Sequence, residues 1–307
     1  MSQSTLAGDG DLIRASRARA LGRLVELVPP PVLILVGMIA FQLGTATAKG
    51  LFDQVHPTGV SFARFLIAAG FLAALHRPKL RGIAMPDLRT LLGMGACMAV
   101  MNVLYFLAVS RLPLGIATAL AFSGPFILAL AGSRQIKHAV WVVLAAVGVI
   151  LLAPWTSGDV DTLGFAMAGA AGCVFTAYIV LGRRAATSIP SGTGLTVPML
   201  VAGLLLAPVG LATSAGDLLD PGVIPPILAV ALLSTVIPYS VDYAALRRIS
   251  AGLYAVLISL DPAVSALVGL VILDERIGTL GSIAIVLICT GSIGATWAKR
   301  GRAGAAG

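Results

Sequence analysis

Residues 234–276 read STVIPYSVDYAALRRISAGLYAVLISLDPAVSALVGLVILDER, and two acidic residues, Asp242 and Asp261, stand inside otherwise apolar segments of this stretch. An aspartate near the middle of a lipid-spanning helix costs roughly 2.5–3.5 kcal/mol on insertion scales, so it is expected to face protein, water or a substrate path. Pro238 and Pro262 lie close to these acids, and each leaves a helical carbonyl without its usual N–H donor. Such a break is tolerated at membrane depth only where it is buried in protein or lines a cavity. The stretch therefore predicts a polar, kinked centre in a membrane bundle.

The composition is typical of a polytopic membrane protein. Hydrophobic residues make up 58% of the 307 positions and charged residues only 11%, whereas soluble proteins carry about 25% charged residues. We therefore expect an all-α integral membrane protein with short turns and no soluble domain. Hydropathy and turn signals predict ten transmembrane helices, near residues 31–48, 58–75, 90–109, 113–131, 139–154, 162–182, 194–213, 223–245, 252–273 and 277–298.

The distribution of basic residues predicts the orientation in the membrane. With the N-terminus in the cytoplasm, 17 of the 21 lysine and arginine residues fall on the cytoplasmic side. Only Lys49, Arg111 and Arg276 then fall outside, and Arg64 lies within a span. The positive-inside rule therefore predicts a multi-pass protein of the bacterial inner membrane with both termini in the cytoplasm.

Two basic segments flank the predicted spans, residues 1–30 at the N-terminus and residues 299–307 at the C-terminus. The first has the pattern of a short amphipathic helix on the membrane surface, and a disordered basic tail is the alternative. The formal net charge is +8, but its basic residues form small clusters between apolar runs. This spacing is typical of topology determinants, so we expect no nucleic-acid partner.

An internal repeat links two distant parts of the chain. The segment LPLGIATALAFSGPFILALAG at 112–132 aligns without gaps on ISAGLYAVLISLDPAVSALVG at 249–269, with a constant offset of 137 residues. The alignment places Pro125 on Pro262. Duplicated halves of this kind are typical of membrane transporters.

The repeat predicts two inverted halves, residues 31–154 and 162–298, with five spans each. An odd number of spans makes the second half run upside down relative to the first. In such folds the substrate site lies near the midplane, on discontinuous helices at the junction of the halves. We expect Gly124-Pro125 and Asp261-Pro262 to mark these breaks in the fourth and ninth spans.

Several motifs occur in a specific order: Gln42 within AFQLGTATAKGLF, Asn102 within MNVLYFLAVSRLPLGIATAL, FSGP at 122–125, STVIPYSVDYAALRRI at 234–249, and SLDPAVSALVG followed by Asp274-Glu275. Together they resemble the EamA family of the drug/metabolite transporter superfamily over nearly all of residues 31–298. The resemblance implies ten helices in two inverted halves around a central cavity lined mainly by helices 1, 3, 4, 6, 8 and 9. It also implies proton-coupled export of small amino acids similar to threonine and homoserine, or of related metabolites.

One departure from the family pattern affects the expected substrate. Ala121 precedes the FSGP motif where the resemblance leads us to expect a glutamate. One acidic cavity contact is therefore absent, and the substrate can differ from that of the amino-acid exporters. A transporter of another metabolite or drug in the same superfamily is the nearest alternative.

Asp261 is the strongest candidate for a functional residue, as a proton acceptor or as the partner of a substrate ammonium group. The alternative is a structural acid that is hydrogen-bonded at the kink. Asp242 is a second candidate near the cytoplasmic end of the eighth span. It precedes Arg247 and Arg248 by five and six residues, so a salt bridge at the helix end is an equally simple interpretation.

Three further polar residues lie inside predicted spans. Arg64 either neutralises a carboxylate in the cavity or extends along the protein to the periplasmic surface. Gln42 and Asn102 can hydrogen-bond a zwitterionic substrate, and hydrogen bonds between helices are the alternative.

Tyr178 and Tyr239 are the tyrosines that we expect to line the cavity. The others are expected in the interfacial belt, where tyrosines near span ends usually lie; these are Tyr105, Tyr243 and Tyr254.

Glu275 matches an acidic position of the family, although a solvated external turn explains it more simply. Small residues recur every four positions in the sixth span and predict a surface for close helix packing; they are Gly164, Ala168, Gly172 and Thr176.

The sequence offers no constellation typical of an enzyme, a metal site or a cofactor site. His56, His76 and His138 fall at span ends on alternating sides, and the three cysteines have no metal-type spacing. A nucleotide-binding G-x-x-x-x-G-K-[ST] loop is absent. A membrane-embedded enzyme acting on a lipid or isoprenoid headgroup, and a passive channel, are the alternatives to a transporter. The expected partners are the bilayer, a small-molecule substrate and the proton, with a monomer and a homodimer as alternative assemblies.

Overall fold

The structure of the protein is a computed structural model that describes residues 28–78, 83–131, 161–246 and 260–303, together with residues 140, 141, 144, 147, 148, 151, 248, 257 and 258. The regular elements of this part of the chain are all helical. In chain order they are α1 (Pro30–Lys49), α2 (Pro57–His76), α3 (Met85–Val109), α4 (Leu114–Ala131), α5 (Thr162–Ser188), α6 (Ser191–Ser214), a 3₁₀ turn (Asp217–Leu219), α7 (Ile224–Ala231), a π-helical segment (Leu232–Val236), α8 (Ile237–Leu246), α9 (Asp261–Ile272) and α10 (Thr279–Ala303).

Six helices in the described residues are long and apolar enough to cross a membrane. They span Pro30–Lys49, Pro57–His76, Met85–Val109, Thr162–Ala185, Gly192–Ser214 and Ile224–Asp242. Two shorter apolar helices, Asp261–Ile272 and Thr279–Gly291, follow at positions where the sequence predicts the last two spans. The predicted fifth span (139–154) and the N-terminal basic segment (1–30) lie largely outside the described residues.

Prolines begin the first three helices. Pro30, Pro57 and Pro86 each occupy one of the first two helical positions, where a missing N–H costs nothing because those donors have no partner within a helix. The His56 side chain also accepts a hydrogen bond from the Thr58 amide and so caps α2. These local signals explain why the predicted boundaries agree closely with those of α1 and α2.

The helices expose apolar side chains and bury polar ones, which is the pattern of a bundle in lipid. On α1, Val32, Leu35 and Ile39 are exposed on one face, while Ile34 and Gln42 are buried on the other. In water, exposed apolar faces would be unfavourable. In the hydrocarbon of a bilayer they are favourable, and the polar groups must find their partners inside the protein.

The breaks near the three prolines differ from one another. The π-helical segment ends two residues before Pro238, and Pro262 lies in the first turn of α9, so it begins a helix instead of kinking one. In contrast, helical backbone continues through Gly124 and Pro125 in α4, where the sequence predicts an unwound segment. A single proline removes one hydrogen bond, and α4 packs closely enough on α5 at Gly124 to remain helical there.

The small residues of α5 lie against the chain that leads into and through α4. A Cβ added to Gly172 would lie 2.6 Å from the Ala121 carbonyl oxygen, and one added to Gly164 would lie 3.0 Å from the Leu112 side chain. Ala168, between them, is fully buried. The predicted small-residue surface therefore packs on α4, where it permits the close backbone approach typical of membrane helices.

Gly44 provides a second close contact, between α1 and the π-helical segment. A Cβ added to Gly44 would lie 2.6 Å from the Ser234 amide nitrogen and 2.8 Å from its Cβ. Since both atoms belong to a packed helical segment, neither can move without displacing backbone. This contact sets the distance between α1 and the π-helical segment.

An ionic network closes the end of the bundle that the positive-inside rule places outside. Lys49 Nζ donates to Glu275 Oε1 at 2.5 Å and to the Leu112 carbonyl at 2.7 Å. Glu275 Oε2 accepts from the Leu114 amide at 2.7 Å and so caps α4. Although Asp274 and Arg276 on either side are exposed, the Glu275 carboxylate is largely buried and bonded through both oxygens, so this side chain is not solvated as expected for an external turn.

A second ion pair lies near this network. Arg111 Nη1 donates to Asp161 Oδ2 at 2.5 Å, and the Asp161 carboxylate also accepts from the Leu163 and Gly164 amides at the start of α5. The Arg111 guanidinium, followed by these amides, lowers the pKa of the Asp161 carboxyl below its usual value. The cap of α5 is therefore ionised at neutral pH.

We expect Gly44→Ala to lower the free energy of unfolding by roughly 1–3 kcal/mol, because the new methyl group overpacks the contact with Ser234. Gly70→Ala is the matched control, since a Cβ at Gly70 meets nothing within 4 Å and alanine favours the helix. Equilibrium unfolding in mixed micelles measures both. Equal stability of Gly44→Ala and wild type would contradict the close contact.

We expect Lys49→Met and Glu275→Gln to couple energetically by about 1 kcal/mol in a double-mutant cycle, because each removes the same largely buried ion pair. The same unfolding assay measures the cycle. Arg276→Met is the control, since Arg276 follows Glu275 directly and is exposed. Additive effects of the Lys49 and Glu275 variants would show that the ion pair contributes nothing.

Candidate functional site

Asp261 lies at the start of α9 and is almost completely buried, with 3% of its surface exposed. Its Oδ2 accepts a hydrogen bond of 2.8 Å from Gln42 Nε2 on α1, a residue 219 positions earlier in the chain. The bond therefore joins α1 to α9 inside the bundle, although the two helices are far apart in the sequence.

Arg64 is fully buried in the middle of α2. Its Nη1 donates to Ser234 Oγ at 2.8 Å, and its Nη2 donates to Asn102 Oδ1. The guanidinium carbon lies 4.8 Å from the ring centre of Phe65 and 4.3 Å from that of Phe106. The side chain thus does not extend to the surface, which was the second interpretation of this residue.

The two acceptors of Arg64 are fixed by their own helices. Asn102 Nδ2 donates to the Met98 carbonyl at 2.8 Å, which directs the amide oxygen toward Arg64. Ser234 Oγ donates to the Val230 carbonyl at 2.7 Å, which leaves its lone pairs for the guanidinium. The cation is consequently held between α3 and the π-helical segment by two neutral groups.

Packing brings the surroundings of Arg64 and Asp261 together. The buried Tyr105 on α3 interacts electrostatically with both Arg64 and Asp261, and α1, which carries Gln42, packs through Gly44 on Ser234, which bonds Arg64. The two polar pairs therefore lie in the same part of the bundle, around Tyr105 and the contact of α1 with the π-helical segment. We call this region, defined by Gln42, Arg64, Asn102, Ser234 and Asp261, the polar centre.

Tyr105 belongs to the surroundings of the polar centre and not to an interfacial belt, which corrects the expectation from sequence. Its ring is buried, and its hydroxyl bonds to Thr118 Oγ1 on α4 at 2.8 Å. It also interacts electrostatically with both Arg64 and Asp261. Its position three residues after Asn102 could have indicated this, since residues three apart share a helix face.

Tyr178 and Tyr239 belong to a chain of aromatic rings. Their ring centres are 6.4 Å apart with an edge-to-face geometry, Tyr178 stacks on Phe175 at 6.2 Å, and Phe175 meets Phe122 at 5.4 Å. This series of ring contacts extends from α4 through α5 to α8. Both tyrosines are half-buried, and Tyr239 interacts electrostatically with Arg64.

Asp242 is half-buried on α8 and faces α1. Its Oδ1 lies 3.7 Å from the position of a Cβ added to Gly37, and Asp242 interacts electrostatically with Tyr178 and Tyr239. Arg247, one of its two expected ion-pair partners, lies outside the described residues, as do Tyr254 and the side chain of Tyr243. Its predicted salt bridge stays a prediction.

In the ranges that the structure describes, no three histidine, cysteine or acidic residues form a group that could hold a metal ion. The polar centre instead offers one carboxylate, one guanidinium and several neutral hydrogen-bonding groups. Such a set can bind a small zwitterion and exchange a proton.

Known proteins similar to this chain are membrane transporters. The family model described as EamA-like transporter family matches residues 162–297. The threonine/homoserine exporter RhtA of Escherichia coli (strain K12) is 36% identical over 273 residues, which are 88% of this chain and 92% of that protein. The exporter of the same name from Salmonella typhimurium (strain LT2) is 36% identical over 270 residues, which are 87% of this chain and 91% of that protein.

A solved crystal structure supports the fold. It is 22% identical in sequence, has a TM-score of 0.61, and the match covers 88% of this chain and 98% of that one. Together with the nearly full-length relatives, these findings confirm the resemblance read from the sequence motifs: the chain is a multi-pass membrane protein and belongs to the EamA-like transporter family.

Proposed function

We propose that this protein is a secondary active transporter of the bacterial inner membrane that exports small amino acids similar to threonine and homoserine. The observation that carries this proposal is the buried Asp261–Gln42 pair in a chain that is 36% identical to exporters of these amino acids over most of its length. A carboxylate at this depth is costly and is expected to serve a substrate or a coupling ion.

The proposed architecture is ten helices in two inverted halves, residues 31–154 and 162–298. The contact between α4 and α9, the helices that carry the aligned repeat, supports it. A Cβ added to Gly269, in the second half of α9, would lie 3.5 Å from Cβ of Leu114 at the start of α4, and the Leu114 amide bonds Glu275, beyond the end of α9. The start of one helix meets the end of the other, as an inverted repeat requires.

The proposed mechanism is alternating access with proton coupling through Asp261. The carboxylate has one hydrogen-bond donor, Gln42, in the described structure. When the cavity opens to the periplasm, Asp261 takes up a proton, and when the cavity opens to the cytoplasm it releases the proton. The same site takes up the amino acid from the cytoplasm and releases it to the periplasm. Proton entry into the cell therefore drives export of the amino acid.

Ala121 bears on the substrate because it stands where the family resemblance implies a glutamate before the FSGP motif. Ala121 is buried in α4, and its carbonyl faces Gly172 of α5. Since the two helices meet closely here, a small residue favours packing at this position. We therefore propose that recognition depends on the polar centre and not on an acidic residue before the FSGP motif.

We expect Asp261→Asn to abolish the stimulation of threonine and homoserine export by an imposed proton gradient, because an amide cannot exchange a proton. Efflux of radiolabelled amino acids from proteoliposomes, with and without the proton gradient, measures this stimulation. Asp274→Asn is the matched control: Asp274 is exposed with φ of 53°, a conformation that asparagine tolerates. Gradient-driven export by Asp261→Asn at the wild-type rate would refute the coupling role, and transport of no tested amino acid by wild type would refute the substrate assignment.

We expect alkaline phosphatase to be active when fused after Asp53 and inactive when fused after Arg77 or at the C-terminus. The positive-inside rule places the connection between α1 and α2 outside and the other two sites in the cytoplasm. Colony and whole-cell phosphatase assays measure the three fusions, with a fluorescent protein at the C-terminus as the reciprocal control. An active C-terminal phosphatase fusion would exclude the proposed even number of spans with a cytoplasmic N-terminus.

A further inference from the structure

Buried polar atoms without hydrogen-bond partners concentrate around the polar centre. Five such side-chain atoms occur among the described residues, and four of them lie on α1, α2 or the π-helical segment: Gln42 Oε1, Ser61 Oγ, Arg64 Nε and Thr235 Oγ1. A buried polar group without a partner is costly, and each one in a native protein calls for an explanation.

Contacts of Ser234 connect the helical segments that carry these atoms. Arg64 of α2 bonds Ser234 Oγ, α1, which carries Gln42, packs on Ser234 through Gly44, and Thr235 is the next residue of the π-helical segment. Ser61 precedes Arg64 by three residues and so lies on the same face of α2. The four unpaired atoms therefore belong to the three helical segments, α1, α2 and the π-helical segment, that meet at Ser234.

The charge at this junction is unbalanced. Within the described residues, the Arg64 guanidinium has neutral hydrogen-bond acceptors, Ser234 and Asn102, and no carboxylate within ion-pair distance. A buried cation without a counter-ion is strongly unfavourable. The rings of Phe65 and Phe106 lie near the guanidinium, and Nε still carries a free donor.

A carboxylate fits this set of groups. Carboxylates bind arginine in the plane of the guanidinium through two parallel hydrogen bonds, and Nε provides one donor for such a pair. The hydroxyl of Ser61, on the same face of α2 as Arg64, can donate as well. The remaining unpaired atom, Gln42 Oε1, is an acceptor and lies on the side chain that bonds Asp261.

We propose that Arg64 binds the carboxylate of the transported amino acid, and that Gln42 Oε1 accepts from its ammonium group. This inference rests on the proposed function and specifies which residue recognises the substrate. Arg64 is fully buried in this structure, so the carboxylate reaches it when the bundle opens in the transport cycle. Asn102 and Ser234 then act as positioning residues that hold the guanidinium in place.

The test compares threonine with threoninamide, in which a neutral amide replaces the carboxylate. Proteoliposomes loaded with unlabelled compound measure counterflow of radiolabelled threonine, and competition gives the preference of the transporter for threonine over the amide. We expect wild type to prefer threonine and Arg64→Gln to reduce this preference about tenfold or more. Arg64→Lys should retain part of the preference, since an ammonium keeps the charge but loses the two-pronged geometry.

Arg276→Gln is the matched control, because Arg276 is exposed beyond α9 and should leave the preference unchanged. A purely structural role of Arg64 would weaken transport of both compounds by the same factor, and an unchanged preference in Arg64→Gln overturns the inference. If size-exclusion chromatography shows that Arg64→Gln is misfolded, the comparison of Arg64→Lys with wild type provides the test. An unchanged preference in Arg64→Lys, or wild-type counterflow without preference for threonine, overturns the inference equally.

The result separates this inference from the proposed function. Threonine transport without preference over its amide refutes the carboxylate role of Arg64 alone. If wild type transports no amino acid, the proposed function is wrong, and the role of Arg64 that depends on it is refuted with it.

Discussion

Polar groups at membrane depth must find their partners inside the protein, and the described structure depends on this constraint. Hydrocarbon offers no hydrogen bonds, so an arginine or aspartate within a span either pairs internally or makes the span unfavourable. Arg64 and Asp261 meet the constraint through Asn102, Ser234 and Gln42, which come from different helices. These hydrogen bonds determine which helix faces turn inward, and the apolar faces are left for lipid.

Close backbone contacts make these hydrogen bonds geometrically feasible. Without a hydrophobic force between helices in lipid, association depends on packing, and small residues allow the backbones to approach. Gly44 brings α1 against Ser234, and Gly172 brings α5 against α4. Gly44 thus has a direct link to the polar centre, because a larger side chain there would separate α1 from the segment that binds Arg64.

The agreement between sequence and structure varies with the range of the interaction. Helix starts follow from local signals such as Pro30 and Pro57 and were predicted closely. The predicted break at Pro125 is absent from the helical backbone of α4, because packing on α5 is a tertiary effect that proline alone does not reveal. The sequence places Tyr105 in an interfacial belt, but its ring is buried against Phe41 and Phe106 and its hydroxyl bonds Thr118 on the next helix, contacts that only the packing of helices provides.

The sequence by itself determined that the chain is an all-helical membrane protein of the EamA-like family and that a few polar residues are set within apolar helices. These properties depend on composition, periodicity and short motifs, which are local. Only the tertiary structure decided that Gln42 bonds Asp261, that Arg64 lies between Asn102 and Ser234, and that Lys49 and Glu275 close one end of the bundle. Each of these pairs joins residues 38 to 226 positions apart, and hydropathy along the chain carries no information about which distant side chains meet.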